Sequence, residues 1–343
     1  MTTFRNFLGH HLVVTALFFF FNTTQAGTVS AQTYFWTPPT STGSCGGSFS
    51  NVSRFQLSRT VNRAKNPLDD GRLFSEYFGI GLSRSLKGQD VKKFKAYILS
   101  AAQSMAFTKP DFTGSKWSPI YVQSNILRLN AMYIVFLQSR GLLSADERKT
   151  LEKWGDVMVP GQKGSKGNGS ADSRAASGNA LIAWGSVTGS KSLVNRGKRQ
   201  VMEALPYVLS SVGSLRRHSK HQGVPLSALS LEDEYNLTLA HVIEGAASLR
   251  NLGIDIYSVE KKGRNLQDAV DWWASVIATR PKAFVGYREK SHNMNVGWIP
   301  IYLHHFGDRP VAAQLRRIER DVTRGRRPGF RAIALGGPTD CFW

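Results

Sequence analysis

Apolar residues in this chain recur at helical spacing over most of its length, with few of the alternating runs that strands require. In "QDVKKFKAYILSAAQSMA" Val91, Phe94, Tyr97, Ile98 and Ala101 fall at helix spacing. In "PIYVQSNILRLNAMYIVFLQSRG" Ile126, Leu129, Tyr133 and Leu137 share one face, and Gly141 is the stop. "SADERKTLEKWGDVMV" opens on a capping box of Ser144 and Glu147. "SLEDEYNLTLAHVIEGAASLRNLG" begins with Ser230 and Asp233 as cap partners and stops at Gly253. With the other periodic segments this predicts roughly nine helices and an all-α fold. Successive helix pairs of this length can curl into an α/α toroid, an incomplete α/α barrel of antiparallel pairs. Periodicity leaves a plain bundle open as the alternative, and no short-period solenoid repeat is evident.

The first 26 residues are expected to stand outside the fold. "MTTFRNFLGHH" has one arginine and no acid, "LVVTALFFFF" is an apolar run too short to span a membrane, and "TTQA" ends in a small residue. That pattern predicts a secretory signal peptide cut near Ala26, and a mature protein that is periplasmic or secreted. Residues 27–53 read as an irregular, surface-hugging arm, and 54–343 as a single domain. Of the two cysteines, Cys45 and Cys341, an oxidising compartment allows a bridge, with two free thiols as the alternative. So distant a pair predicts no metal site.

Lys and Arg number 44 against 24 Asp and Glu, a formal net charge of +20. An excess of that size on an exported chain implies an anionic partner. Nucleic acid, an anionic surface and an acidic polysaccharide all fit the charge. No nucleic-acid motif supports the first, and export favours the polysaccharide.

Three stretches carry candidate chemistry. "GQKGSKGNGSADSRAASGNALIAWG" leads a glycine-rich loop with Lys163 and Lys166 into a helix bearing Asp172 and Arg174. A helix N-terminus beside a cation favours an anion, and no nucleotide-binding Gly-Lys-Ser/Thr ending is present. "SLRRHSKHQGVPLSALSLEDEYNL" runs a basic cluster, Arg216, Arg217, His218, Lys220 and His221, into a helix with Tyr235 in its second turn. Nearby cations turn a tyrosine, with an ordinary pKa of about 10, into a usable base. In "SHNMNVGWIPIYLHHFGDRP" Trp298 and Tyr302 share a face and either stack on a sugar ring or pack in the core. His304 and His305 are adjacent and make a poor metal pair.

Four segments, taken in order, resemble the alginate-lyase-type polysaccharide lyases. They are "SPIYVQSNILRLNAMYIVFLQSRGLLSADERKTLEKWGDVMV", "SADSRAASGNALIAWGSVTG", the stretch from "VGSLRRHSKHQG" to "LEDEYNLTLAHVIEGAASLRNLGIDIYS", and "VGWIPIYLHHFG", spanning roughly residues 118 to 307. The resemblance implies an α/α barrel or toroid, no cofactor, an anionic polysaccharide substrate, and Tyr235 as catalytic base and acid. The family carries Asn-Asn-His where this chain has Ser170, Ala171 and Asp172. It also has an arginine shortly before the tyrosine, a space left here to His218, Lys220 or His221.

A uronate polymer is cleaved by β-elimination when a cation neutralises the carboxylate, a base removes the C5 proton and an acid protonates the departing O4. The expected roles are Tyr235 as base and acid, with Arg174, Lys220, His218 or His221 at the carboxylate. Asp172, Lys166, Arg216, Arg217, Trp298 and Tyr302 are expected to bind substrate. Arg63 and Lys65, in "SRTVNRAKNPLDDGR", are expected to reach the polymer from a lid. The alternatives are a non-catalytic binding protein on the same fold, and a glycoside hydrolase using Asp172 with Glu232 or Glu234.

Overall fold

The computed structural model describes residues 34–39, 67–108, 119–163, 170–210, 212, 228–279, 296–323 and 342. All belong to one compact unit, Thr33–Trp343. Among the described residues the secondary structure is helical, with one isolated bridge, Lys261 to Arg264, and no strand. The helices are α1 (Pro67–Leu86), α2 (Val91–Gln103), α3 (Pro119–Ser139), α4 (Ala145–Lys163), α5 (Ala171–Val187), α6 (Lys191–Ser210), α7 (Ala228–Asn251), α8 (Leu266–Thr279), α9 (Trp298–Phe306) and α10 (Ala312–Thr323). None is long and apolar enough to cross a membrane.

Odd-numbered helices form an inner layer and even-numbered ones an outer layer. α1, α3, α5, α7 and α9 pack side by side in that order, and each is followed by an outer helix. The layering follows from the side chains. From Ala175 to Val187 every residue of α5 is buried, and α3 is buried from Tyr121 to Leu137. Helices with apolar residues on every side, and their few polar groups paired inside, belong in the middle. The outer helices are one-sided: α6 buries Val201, Ala204, Leu205, Val208 and Leu209 and turns Lys198 and Arg199 away.

Consecutive helices are antiparallel, so inner neighbours run parallel. Tyr121 of α3 meets His241 of α7, and Arg128 meets Glu244, contacts that advance together along both helices. α1 and α3 advance likewise, with Gly71 against Val122 and Phe78 against Tyr133. The N-termini of these inner helices therefore gather at one end. At the other end α3 and α7 stop on Gly141 and Gly253, whose φ values of 63° and 79° side-chain-bearing residues rarely adopt.

That second end is closed by the N-terminal arm. Tyr34 donates to Gln138 at the end of α3, the Phe35 N–H to Ser186 at the end of α5, and Asn251 at the end of α7 to the Phe35 carbonyl. Trp36 donates from Nε1 to the Phe342 carbonyl at 2.6 Å. Residues 34–39 have no regular secondary structure, and two of them, Phe35 and Trp36, leave the surface. Phe35 and Trp36 are buried in the core, because two large aromatic rings gain more there than polar neighbours lose.

Two further local expectations are corrected. α7 begins at Ala228, so Ser230 and Asp233 lie inside its first two turns rather than at its cap. The part of the expected lid from Pro67 onward is the first turn of α1, where proline suits the start of a helix. Arg63 and Lys65 lie outside the described residues.

Candidate functional site

Asp172, Arg174, Tyr235 and Trp298 all sit in the opening turns of inner helices, so parallel packing brings them to the same end of the molecule. Ser170 is the N-cap of α5, and its hydroxyl bonds to Ser173 rather than to the backbone. Asp172 keeps one buried carboxylate oxygen, Oδ1, without a hydrogen-bond partner. Arg174 points to Glu203 on α6 at 3.8 Å, a loose pair whose acid is 50 % exposed. Such a pair holds the guanidinium weakly and leaves it able to take another anion.

Tyr235 is buried and its hydroxyl has no partner. Its ring meets Trp272 of α8 edge-on at 5.3 Å. Burial pushes the hydroxyl above the ordinary phenol range, and Tyr207 of α6 adds to the rise. Tyr235 thus faces the outer helices α6 and α8, and no cation among the described residues favours its phenolate. Trp298 and Tyr302 do share a face, and both are fully buried. Their rings lie 6.4 Å apart, and Trp298 donates to Asn236 of α7 at 3.0 Å. Here the two rings pack within the protein.

Lys166, Arg216, Arg217, His218, Lys220, His221, Cys45 and Cys341 lie outside the described residues. Glu232 and Glu234 fall in the opening turns of α7. Among the described residues no group of His, Cys, Asp and Glu could hold a metal ion.

The opposite face of α7 carries a polar cluster that periodicity did not reveal. Glu244 pairs with Arg128 of α3 and accepts from Asn179 of α5 at 2.9 Å. Asn179 also donates to the His241 carbonyl, and the His241 ring bonds to the Tyr121 hydroxyl at 2.9 Å. These residues are all nearly inaccessible. The available signal was a charge in an apolar stretch, arginine in "NILRLNAM" and glutamate in "AHVIEGAA", since charged groups are seldom buried without a partner.

Charge is distributed unequally between the connections that enter inner helices and those that leave them. Connections that enter inner helices carry Lys109, Lys116, Lys166, Arg216, Arg217, Lys220, Arg280, Lys282, Arg288 and Lys290 against Asp111 and Glu289. Those that leave inner helices carry Lys87, Arg140, Lys261, Lys262, Arg264 and Arg309 against Asp90, Asp255, Glu260 and Asp308. The excess positive charge therefore belongs to the connections that precede, in sequence, the N-termini of inner helices, where the helix dipoles are also positive.

Solved structures share this architecture. A histidine-to-alanine variant of alginate lyase A1-III complexed with a tetrasaccharide superposes with a TM-score of 0.57 at 15 % identity, covering 80 % of this chain and 74 % of that one. Alginate lyase A1-III from Sphingomonas species A1 gives a TM-score of 0.56 at 15 % identity, over 80 % and 75 % of the two chains. The chain has an alginate-lyase-like fold. It is an α/α toroid, which the helix pairing allowed and the resemblance implied. No protein-family model matches the chain, and no curated protein matches it in sequence.

In this alginate-lyase-like toroid the site candidates from α5, α7 and α9 do converge on one end. Arg174 keeps a loosely held guanidinium there, while the unpaired Asp172 Oδ1, Tyr235, Trp298 and Tyr302 are enclosed.

Proposed function

We propose that this chain is an exported, periplasmic or secreted polysaccharide lyase that cleaves a uronic-acid polymer, alginate, glucuronan or a related exopolysaccharide, by β-elimination. The observation that carries this reading is an alginate-lyase-like fold in which the connections leading in sequence into the inner helices, those of Arg174 and Tyr235 among them, carry the excess of basic residues. A polyuronate bears one carboxylate per residue and is attracted to such connections.

Elimination needs no water and no redox cofactor. A cation neutralises the carboxylate and stabilises charge developing at C5, the base takes the C5 proton, the C4–O4 bond breaks, and a proton passes to O4 as the C4=C5 double bond forms. We assign the carboxylate to Arg174, helped by His218, Lys220 and His221. Tyr235 is assigned the proton transfers. Its hydroxyl is held protonated by burial, which suits the donor step directly. The base step requires a cation brought close by the basic connection into α7, where Arg216 and Arg217 lie.

The burial of Tyr235 favours one second reading, a polysaccharide-binding protein that does not cleave. Incubation with a panel of polyuronates, followed by ultraviolet absorbance of the C4=C5 bond, separates the two. Absorbance that rises with the wild type and is lost in Arg174→Ala, at unchanged melting temperature, supports the lyase. Binding without absorbance supports the second reading, and reducing ends without absorbance points to hydrolysis by Asp172 with Glu232 or Glu234.

A further inference from the structure

A cavity of about 660 Å³ lies between the C-terminal end of α6 and the connection from α7 to α8, lined by Pro206, Tyr207, Leu209, Ser210, Lys261, Lys262 and Arg264. Its volume is within the ~300–1,000 Å³ range of small-molecule sites. Among the described residues the lining holds three cations and no acid; Glu260, next in sequence, is not part of it.

The cations are held together by the backbone. Lys262 and Gly263 both take left-handed conformations, with φ of 55° and 69°, making the tight two-residue turn that brings residues 261 and 264 opposite each other. Lys261 and Arg264 exchange both backbone hydrogen bonds, at 2.8 and 3.2 Å. Side chains at directly opposed positions leave on the same face, and like charges there repel. Arg264 is anchored further by donating to the Val212 carbonyl. Among the described residues none of the three forms an ion pair, whereas Arg84, Lys95, Arg148 and Arg309 each have a carboxylate within reach. An arrangement that concentrates repelling charge beside a cavity, and fixes it with an uncommon backbone turn, is relieved by a bound anion.

We propose that this cavity is a carbohydrate-binding site for a carboxylate-bearing oligosaccharide, on the same end as Arg174 and one turn of α6 beyond Glu203, with which Arg174 pairs. The three cations take successive carboxylates, and Tyr207 with Pro206 supplies the apolar surface on which a sugar ring rests. That the anion is a uronate rests on the proposed function; that the cavity selects anions rests on its own cations. A long chain bound here is retained while another part of it is cut.

The test compares the wild type with the doubly substituted Lys261→Gln/Lys262→Gln, two exposed positions, by titration calorimetry with a mannuronate hexamer, a glucuronate hexamer and inorganic phosphate. Where cleavage is detectable, KM and kcat on polymer and on a trimer are added. The expected result is a Kd for at least one hexamer raised about tenfold or more, a matching rise in KM on polymer, and unchanged kcat on the trimer. Hexamer binding equal in both proteins overturns the proposal. A loss confined to phosphate also overturns it, in favour of a phosphate-bearing ligand. Absence of cleavage by the wild type with hexamer binding still lost in the variant removes the lyase reading and leaves this site standing.

Discussion

The guanidinium of Arg128 on α3 is bonded to the carboxylate of Glu244 on α7 in the interior of the toroid, where the two side chains are 4 % and 2 % exposed. Asn179 occupies the second carboxylate oxygen, so one acid fastens three inner helices. Removing one partner leaves a buried charge unsatisfied, which costs about 3–5 kcal/mol. Glu244→Ala is expected to lose that much in urea unfolding. The paired replacement Arg128→Met/Glu244→Leu is expected to lose far less or nothing, since an ion pair exchanged for apolar packing is often neutral. Equal losses for both would mean that shape, not charge, holds the helices.

Tyr235 presents an unusual separation of stability from activity. Its hydroxyl is buried and unpaired, and such a group costs about 1–3 kcal/mol. Tyr235→Phe is therefore expected to be at least as stable as the wild type by thermal melting. If Tyr235 transfers protons in the reaction, the same variant loses about 10²–10⁴-fold in elimination rate. A stabilised variant with full activity removes Tyr235 from the mechanism.

His305 makes stability depend on pH. Burial first, then His304 and Arg250, pushes its pKa from 6.5 down to about 4. The unfolded chain consequently binds the extra proton between those values, and the folded protein resists it. This contribution is complete above pH 6.5 and is lost as pH falls towards 4. Because the ring is partly solvated, the loss is about 1 kcal/mol rather than the full shift. Denaturation of wild type and His305→Gln at pH 7 and pH 4.5 is expected to show a smaller decrease for the variant.

We propose a bridge between Cys45 and Cys341. The contact of Trp36 with the Phe342 carbonyl ties the residue after Cys341 to the N-terminal arm a short distance before Cys45. Thiol titration of denatured protein prepared from an oxidising compartment is expected to find no free thiol. Cys45→Ser/Cys341→Ser is expected to be less stable by about 2–4 kcal/mol. Two reactive thiols in the untreated protein would exclude the bridge.

Helix periods, glycine stops at Gly141 and Gly253, and the capping box at Ser144 and Glu147 were legible because each depends on residues within a few positions of one another. In the structure Ser144 and Glu147 bond reciprocally, at 2.9 and 3.2 Å. The gathering of Asp172, Arg174 and Tyr235 at one end was legible in part, since antiparallel pairing of successive helices forces alternate helices to run parallel. The direction of Tyr235 was not. Its neighbours Tyr207 and Trp272 come from the outer helices α6 and α8, and no local period states which face of a helix that is buried all round meets which layer.

The sequence alone determined the helices, several of their ends, the all-α class and the positive charge, because these follow from local propensity, patterning and composition. Tertiary structure alone decided that Phe35 and Trp36 leave the surface, that Arg128 and Glu244 find each other across α3 and α7, and that Lys261, Lys262 and Arg264 line one cavity. Those outcomes depend on contacts between residues far apart in the chain, and their energies exist only once packing has removed the water between them.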